Sequence, residues 1–510
     1  MRHRLRLPPL GQSLLAGAVS ALALPPVNAL PALFAYGWLV ILLLQATTWR
    51  RTWMLAVAFV FAQAATGLHW IAIAFTVDAE RFGALAIPAV VLLCLGIALI
   101  QGSVVSLFGL RTWRSPLAAV LAFVPLWLAG EWLRGWIGQF PWNLVGYTLA
   151  DWSWLAQGAA LGSVWWLGWI ALLLGTLPAL WWRGAAGARL WTGTVVAGLV
   201  TLALFGLARL QAPVALTDIR LRIVQGAFAL DHNFEAGRLR DWFFDQVRWS
   251  LEPAAVPLDA ILWSEGASPY PLDADADARR ILGEMLVRQN VTPWLLTGGD
   301  RLVRSVDGSL EGVTNSLFAL DAHGVVAARY DKVDLVPFGE FMPFRGVLGR
   351  LGLRKLTAGT IDYVRGRGRR TLNLEGLPPF SPLICYEAIF VGRVQAGQRP
   401  DWLLNVTIDT WFGDSLGPHQ HLAMARLRAI EEGLPLIRVA NSGISASIDA
   451  YGRILERMGL DDVGVMDVWL PSSVESTLFS RNSGLLIWLS LGSTSVLGAV
   501  IETRTRRRNP

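Results

Sequence analysis

Three residues at the ends of predicted strands could together perform nucleophilic chemistry. Glu265 ends an apolar run that starts at Ala260, and Lys332 follows a predicted hairpin. Cys385 ends the short apolar run 381–384, which suits a buried strand that delivers a thiol to the rim of a sheet. A thiol is mostly protonated at neutral pH, so a cation must favour the thiolate or a carboxylate must accept its proton. The three residue types therefore form a possible base, electrophile and nucleophile.

The rarity of cysteine and lysine supports this interpretation. The chain has two cysteines, Cys94 and Cys385, and two lysines, Lys332 and Lys355, while every other cation among the 44 is arginine. A lysine amine can lose its proton when it is desolvated, whereas a guanidinium cannot, so the two residues are not interchangeable. Cys94 lies within a predicted membrane span, so no disulfide or metal framework is implied. The alternative for Cys385 is a buried core cysteine, which is a common environment for this residue.

Two histidines offer a second set of candidate groups. His419 and His421 could provide a histidine base for the thiol, or they could be metal ligands. No cysteine or second histidine cluster accompanies them in the sequence, so we expect no metal.

Alternating strand and helix patterns must position these residues. The predicted strands lie at 221–226, 260–267, 294–297, on both sides of a hairpin at 321–324, before Cys385, and at 402–406, 436–440 and 445–449. The predicted helices cover about 233–251, 275–290 and 420–432. This alternation predicts an α/β domain, a layered sandwich with helices outside.

The chain as a whole is too apolar and too long for one soluble domain. Hydrophobic residues make up 54% of the 510, and few acidic residues precede residue 212. Apolar stretches predict about eight membrane spans, at roughly 11–30, 31–48, 53–75, 84–110, 116–134, 157–182, 190–210 and 484–502. We therefore expect an N-terminal membrane domain over 1–212 with about seven spans, a water-facing catalytic domain over 213–478, and a C-terminal span with a basic tail over 479–510.

Arginines fall on alternate connections between the predicted spans. One set of connections carries Arg2, Arg4, Arg6, Arg50, Arg51, Arg111, Arg114, Arg183, Arg189, Arg504, Arg506, Arg507 and Arg508. Under the positive-inside rule both termini are cytoplasmic and the large domain faces the opposite side. The first apolar stretch also fits a cleavable signal peptide processed near 21–23. Glu131 and Arg134, one helical turn apart, either pair with each other or face the bundle interior.

Several motifs resemble a known enzyme superfamily. They are Trp263-Ser264-Glu265, the segment 331–340, Ile384-Cys385-Tyr386-Glu387 and the segment 405–413. Together they resemble the nitrilase superfamily. With the membrane spans and the segments 417–421, 425–431 and 438–444, the chain resembles the apolipoprotein N-acyltransferase family over essentially its whole length.

The resemblance implies a Glu265, Lys332 and Cys385 triad on an αββα sandwich. It implies that Glu340 and Glu387 orient Lys332 or steady the intermediate, with Tyr386 in a supporting role. Candidate substrate or lid contacts are Phe234, Phe341, Phe344, Arg345, Trp411 and Arg438. Two departures concern substrate contacts: the apolar segment 227–230 stands where a polar, proline-containing run is expected, and Phe234 stands where tryptophan is frequent.

The resemblance also implies a reaction. The Cys385 thiolate would take an acyl chain from a membrane phospholipid as a thioester and pass it to the α-amino group of the S-diacylglyceryl-cysteine of an apolipoprotein. The family resemblance implies no cofactor, no metal and no nucleic acid. It implies a monomer in the bacterial inner membrane, with the catalytic domain in the periplasm.

Two other functions fit parts of the sequence. A membrane-tethered nitrilase-type amidohydrolase would use the same triad on a small amide, with water as the second nucleophile. A transporter with an appended binding domain would carry ionisable residues within its spans, and the sequence has few there.

The stretch 341–355 is a candidate lid, because apolar residues alternate with cations that could meet phosphate head groups. A lid would shelter an acyl-enzyme from water; the alternative is a basic loop on the domain surface. Replacing the apolar side chains of this stretch should lower turnover of phospholipid in vesicles. Unchanged turnover in that assay would count against a lid.

Overall fold

The computed structural model describes residues 7–182, 184, 187–228, 236–289, 294–305, 307–342 and 363–508. The chain divides into two compact units. Unit 1 comprises Met1–Ala72, Ala84–Ala212 and Ser476–Pro510, and unit 2 comprises Ile73–Gly83 and Pro213–Glu475.

The described residues form these α-helices, in chain order: α1 (Pro9–Ala21), α2 (Phe34–Gln45), α3 (Trp49–Leu68), α4 (Ala79–Phe82), α5 (Ala86–Ser106), α6 (Pro116–Gly138), α7 (Ser153–Ala156), α8 (Ala159–Gly175), α9 (Leu177–Trp182), α10 (Ala188–Leu210), α11 (Ala236–Ser250), α12 (Ala276–Arg288), α13 (Leu416–Glu432) and α14 (Leu478–Arg508). Short 3-10 turns at His69–Phe75, Leu107–Leu110 and elsewhere extend several of them.

Among the described residues, five helical segments are long and apolar enough to cross a membrane. They are Trp49–Phe75, Ala79–Leu110, Pro116–Gly138, Ala159–Trp182 and Ala188–Leu210. They correspond to the third to seventh of the eight predicted spans. The predicted spans at 11–30 and 31–48 contain shorter helices, of 13 and 12 residues, and the last predicted span lies within α14. The total of about eight is therefore not confirmed.

Polar side chains inside unit 1 hold the end of α6. Helix α6 begins at an N-cap, where the Ser115 side chain accepts from the Ala118 amide. Near its other end Glu131 and Arg134 are both buried. Glu131 accepts hydrogen bonds from the Trp127 indole (3.1 Å) and the Val145 amide (2.9 Å). Arg134 donates to the Gln101 side chain at 2.9 Å and to the carbonyl groups of residues 140 and 142. Both side chains thus face the interior of unit 1. There they form hydrogen bonds with polar groups that lipid could not hydrogen-bond.

Unit 2 contains two six-stranded sheets. The strands are β1 (Leu216–Gln225), β2 (Ala260–Trp263), β3 (Trp294–Arg304), β4 (Leu310–Leu320), β5 (Val326–Asp331), β6 (Leu372–Leu374), β7 (Leu377–Ile384), β8 (Trp402–Thr407), β9 (Leu436–Ala440), β10 (Ser445–Ile448), β11 (Ile454–Met458) and β12 (Gly464–Pro471). The first sheet has the order β12-β1-β2-β3-β4-β5, and the second has the order β11-β10-β9-β8-β7-β6. Pairs β1–β2, β2–β3, β7–β8 and β8–β9 are parallel.

The two sheets stack face to face through apolar side chains that alternate along their strands. In β8, Trp402, Leu404 and Val406 lie in a core shared by both sheets, while Leu403 points to the other face. The first sheet contributes residues such as Leu221, Ile223, Leu262 and Leu296 to the same core. Because successive side chains in a strand point to opposite faces, each central strand fills two cores at once.

Helices cover the outer faces of both sheets. Phe243 of α11 and Leu282 of α12 pack with Trp263 of the first sheet. Leu422 of α13 packs with Leu403 of the second sheet. Helix α13 is capped at its start by Ser415, and it ends at the left-handed Gly433. The expected αββα sandwich is confirmed. The sequence analysis did not predict β6, β11 and β12, the last of which pairs antiparallel with β1.

A glycine on β3 fixes the approach of the chain to Glu265. A Cβ atom at Gly298 would lie 2.6 Å from the Cα atom of Glu265 and 2.6 Å from the Ser264 carbonyl oxygen, whereas one at Gly299 would lie 3.4 Å from the nearest atom, the Cβ of Ser268. We expect Gly298→Ala to lower the free energy of unfolding by about 1–3 kcal/mol and to reduce activity, because Glu265 must shift. Gly299→Ala is the matched control. Equal unfolding temperatures and activities for the two variants would contradict this prediction.

Candidate active site

Cys385 occupies a sharp, buried turn at the end of β7. The strand is followed by the 3-10 turn Cys385–Ile389, and Cys385 has a φ of +48°. A left-handed conformation at a residue other than glycine costs on the order of 1–3 kcal/mol, so the surrounding contacts must enforce it. The Cys385 side chain is buried, with 8% of the residue exposed. The turn therefore places the sulfur firmly, in a position that solvent reaches poorly.

Glu387 ties this turn to the segment that carries Lys332. One of its oxygens accepts from the Ile384 amide at 2.9 Å. The other accepts from the Val333 amide at 2.8 Å and the Tyr330 hydroxyl at 2.9 Å. Burial raises the pKa of Glu387, although the Arg369 guanidinium and these donors oppose the shift. Glu387 thus hydrogen-bonds to the backbone next to Cys385 and to the backbone next to Lys332.

Lys332 lies between two carboxylates. Its Nζ atom is 3.2 Å from Oε1 of Glu265 and 2.8 Å from Oε1 of Glu340. The second oxygen of Glu265 accepts from the Ile408 amide at 2.9 Å, and that of Glu340 accepts from the Val336 amide at 2.8 Å. All three side chains are buried. The structure therefore brings together Glu265, Lys332 and Glu340 as one ionic group.

Asn315 on β4 is a site residue that the sequence analysis missed. Its Nδ2 atom donates to Glu265 at 2.7 Å and lies 3.2 Å from Oε1 of Glu340. Its backbone carbonyl accepts from the Lys332 amide at 2.8 Å. The available signal was the polar run 314–316 inside a strand that is otherwise largely apolar. Asn315 thus separates two negative charges and fixes their spacing.

Electrostatics keep the lysine charged and the thiol neutral. Burial opposes the charge of Lys332, but Glu265 and Glu340 outweigh it and raise its pKa well above the ordinary value. Burial also raises the pKa of Cys385, and the Glu265 carboxylate adds to the effect while Lys332 opposes it. These interactions put the sulfur within electrostatic range of both partners. At neutral pH the resting thiol is therefore protonated.

A second buried polar network lies behind the cysteine. Asp409 accepts from the Thr407 hydroxyl at 2.9 Å, and its other oxygen lies 2.6 Å from Nη2 of Arg438. His421 has Nδ1 2.9 Å from Asp409 and Nε2 3.1 Å from the Cys385 carbonyl oxygen. Arg438 also donates to the Asn405 side chain and is fully buried, so the structure places this candidate substrate contact inside the domain.

The remaining supporting and substrate-contact candidates lie at other positions in unit 2 or outside the described residues. Tyr386 is buried and packs edge-on against Phe390, with ring centroids 5.2 Å apart. Trp411 is partly buried, and the Arg365 guanidinium lies over the Phe341 ring at 5.3 Å. Phe234, Phe344, Arg345 and most of the candidate lid lie outside the described residues. Among the residues that the structure describes, no cluster of three or more His, Cys, Asp or Glu side chains could hold a metal ion.

Taken together, these contacts suit covalent catalysis by a thiol. A nucleophile on a rigid turn lies near a carboxylate that can take its proton and near an ammonium that can stabilise an oxyanion. Such an arrangement can take an acyl group from a donor, hold it on sulfur and pass it to an acceptor.

Comparison with known proteins identifies relatives along almost the whole chain. Residues 16–177 match the model of the apolipoprotein N-acyltransferase N-terminal domain, and residues 267–477 match that of carbon-nitrogen hydrolase. The apolipoprotein N-acyltransferase of Rhodopseudomonas palustris is 37% identical, with 92% of this chain and 90% of that protein aligned. The protein of the same name from Bradyrhizobium diazoefficiens is 36% identical over 97% of this chain and 95% of its own length. That from Brucella melitensis is 34% identical over 96% of each.

The network around Asp409 predicts a pH-dependent stability. Burial opposes the charge of Asp409, but Arg438 and His421 outweigh it and hold its pKa far below the ordinary value. A depressed folded-state pKa stabilises the fold above the unfolded value, about 4, and this stabilisation is lost as the pH falls towards the folded value. The difference in unfolding temperature between wild type and Asp409→Asn should therefore be largest near pH 6–7 and shrink below about pH 4. A difference that stays constant down to pH 3 would contradict this assignment.

Proposed function

This chain belongs to the apolipoprotein N-acyltransferase family, and from that premise we propose that it transfers a fatty acyl chain from a membrane phospholipid to the N-terminal S-diacylglyceryl-cysteine of apolipoproteins. The observation that carries the proposal is the buried Lys332 ammonium, held between Glu265 and Glu340 within electrostatic range of Cys385. The chain is an acyltransferase of lipoprotein maturation, as its relatives' names indicate.

The first half-reaction loads the enzyme. The sulfur of Cys385 attacks the carbonyl carbon of a phospholipid ester while Glu265 takes the thiol proton. Lys332 and the backbone N–H of Tyr386 stabilise the negative charge that develops on the carbonyl oxygen. The ester C–O bond then breaks, and the leaving lysophospholipid oxygen takes the proton from Glu265. A thioester on Cys385 remains.

The second half-reaction transfers the acyl group from Cys385 to the acceptor amine. The α-amino group of the diacylglyceryl-cysteine attacks the thioester carbon, and Glu265 accepts a proton from the amine. The C–S bond breaks, and the sulfur of Cys385 regains a proton as the amide forms. Because an amide is more stable than a thioester, no nucleotide is needed. This ping-pong sequence uses the same three side chains twice.

A neutral, buried thiol suits this sequence. Burial and the Glu265 charge raise the pKa of Cys385, so the nucleophile forms as its proton moves to Glu265 during attack rather than before it. The site is also protected from water, which would otherwise hydrolyse the thioester. Glu340 holds the lysine through both half-reactions at 2.8 Å.

The two substrates explain why an enzyme of this kind is a membrane protein. Both carry acyl chains, and the described residues include five helical segments long and apolar enough to cross a membrane. We place the enzyme in the bacterial inner membrane as a monomer with about eight spans, with residues 213–478 in the periplasm and both termini in the cytoplasm. The alternating arginines of the connections support this orientation.

Mass spectrometry of the intact protein tests the acyl-enzyme. Mixing wild type with phospholipid in the absence of an acceptor should add one acyl mass, which hydroxylamine removes. Cys385→Ala should add none, and its transfer rate should fall by roughly 10⁶-fold, as expected when a catalytic nucleophile is removed. Cys94→Ala is the matched control and should acylate like wild type.

Two results would overturn the proposal. One is an acyl mass that persists in Cys385→Ala. The other is a wild-type enzyme that gains no acyl mass yet hydrolyses a small amide in a Cys385-dependent way, which would identify a membrane-tethered amidohydrolase instead.

A further inference from the structure

The carbonyl group of Cys385 has a buried partner on helix α13. Nε2 of His421 lies 3.1 Å from the Cys385 carbonyl oxygen, and the His421 side chain is fully buried. A carbonyl oxygen can only accept, so Nε2 carries the proton in this contact. The other ring nitrogen then accepts from Nη2 of Arg438 at 3.1 Å, and Oδ1 of Asp409 lies 2.9 Å from the same nitrogen. The ring therefore has a fixed orientation, with its N–H directed at Cys385.

Asp409 is also linked to the neighbourhood of Cys385 through Thr407. Its Oδ1 atom accepts from the Thr407 hydroxyl at 2.9 Å. The parallel register that pairs Ile384 of β7 with Val406 of β8 places Thr407 next to Cys385, and the Thr407 side chain lowers the pKa of the Cys385 thiol. Asp409 is itself fixed by Arg438, at 2.6 Å through its other oxygen. One buried carboxylate thus positions two side chains, of which one lies next to Cys385 in the strand register and the other contacts its carbonyl.

We propose that Thr407, Asp409 and His421 are positioning residues that hold the Cys385 turn in its reactive conformation and orient the oxyanion donor. The inference deepens the proposed function and rests on it, since it gives these residues a task only if Cys385 is the nucleophile. Thr407 acts on the sulfur, and His421 acts on the peptide group that follows it.

The geometry of the peptide bond explains the role of His421. The carbonyl of Cys385 and the N–H of Tyr386 belong to one planar trans peptide, so they point in opposite directions. A hydrogen bond that draws the carbonyl towards α13 therefore directs the Tyr386 N–H away from α13. That N–H is one of the two oxyanion donors in the proposed reaction. Without His421 the peptide at the left-handed Cys385 could rotate, because φ +48° is unfavourable for cysteine.

The first test compares two substitutions of His421. His421→Leu removes the donor, whereas His421→Gln places an amide N–H near the position of Nε2. We expect His421→Leu to lower the rate of acyl-enzyme formation from phospholipid by roughly 100-fold, the scale of a misplaced reacting group, with little change in KM. His421→Gln should recover most of that rate, which a purely space-filling role would not predict. His419→Leu, on the same helix, is the matched control and should acylate like wild type.

The second test addresses the sulfur. Thr407→Val keeps the shape of the side chain without its hydroxyl, and Thr407→Ser keeps the hydroxyl. In a Cys94→Ala background, Thr407→Val should slow alkylation of Cys385 by iodoacetamide several-fold, and Thr407→Ser should not. This assay needs no phospholipid, so it still decides the inference if wild type forms no acyl-enzyme and the proposed function fails.

The inference is overturned if folded His421→Leu acylates at the wild-type rate, or if His421→Gln is as slow as His421→Leu. Circular dichroism and unfolding temperatures establish that each variant is folded. If His421→Leu does not fold, the Thr407 pair decides: equal alkylation rates for Thr407→Val and Thr407→Ser would reject the proposal.

Discussion

The proposed active site depends on one buried cation, the Lys332 ammonium. Moving an ammonium from water into the protein interior costs several kcal/mol, and Lys332 is about 1% exposed. Glu265 and Glu340 offset that cost at 3.2 and 2.8 Å, and Asn315 keeps the two carboxylates apart while it donates to both. One cation between two anions leaves a net negative charge beside the sulfur. Burial, together with the Glu265 charge, keeps the thiol protonated at rest by raising the pKa of Cys385, although Lys332 opposes the shift.

This ionic group also joins the two sheets. Glu265 and Lys332 follow strands of the first sheet, and Cys385 and Ile408 follow strands of the second. The hydrogen bond from the Ile408 amide to Glu265, 2.9 Å long, crosses from one sheet to the other. The apolar core between the sheets fixes the distance across which these groups meet, so packing far from the chemistry determines its geometry.

The sequence predicted those parts of unit 2 that neighbouring residues along the chain determine. Apolar runs and turn residues marked most of the strands, and residue type and strand position singled out Glu265, Lys332 and Cys385. The pairing of β12 with β1 joins segments more than two hundred residues apart, so no local pattern reveals it. Asn315 was missed for a similar reason, because its partners Glu265 and Glu340 lie in the segments that follow β2 and β5. In unit 1, non-helical angles at Gly162 and Ser163 interrupt α8, a break that mean hydropathy does not register.

The turn at Cys385 is supported from both sides, and this support fits a neutral nucleophile. Glu387 holds the Ile384 amide before the cysteine, and His421 holds the carbonyl of the cysteine itself. A thiol that ionised in the resting enzyme would be open to oxidation and to other electrophiles. A protonated thiol avoids both, but it must then be aimed well, since its proton leaves only when a carbonyl group is in place. In the proposed mechanism, reactivity therefore comes from a rigidly positioned backbone and not from a thiol that is already ionised.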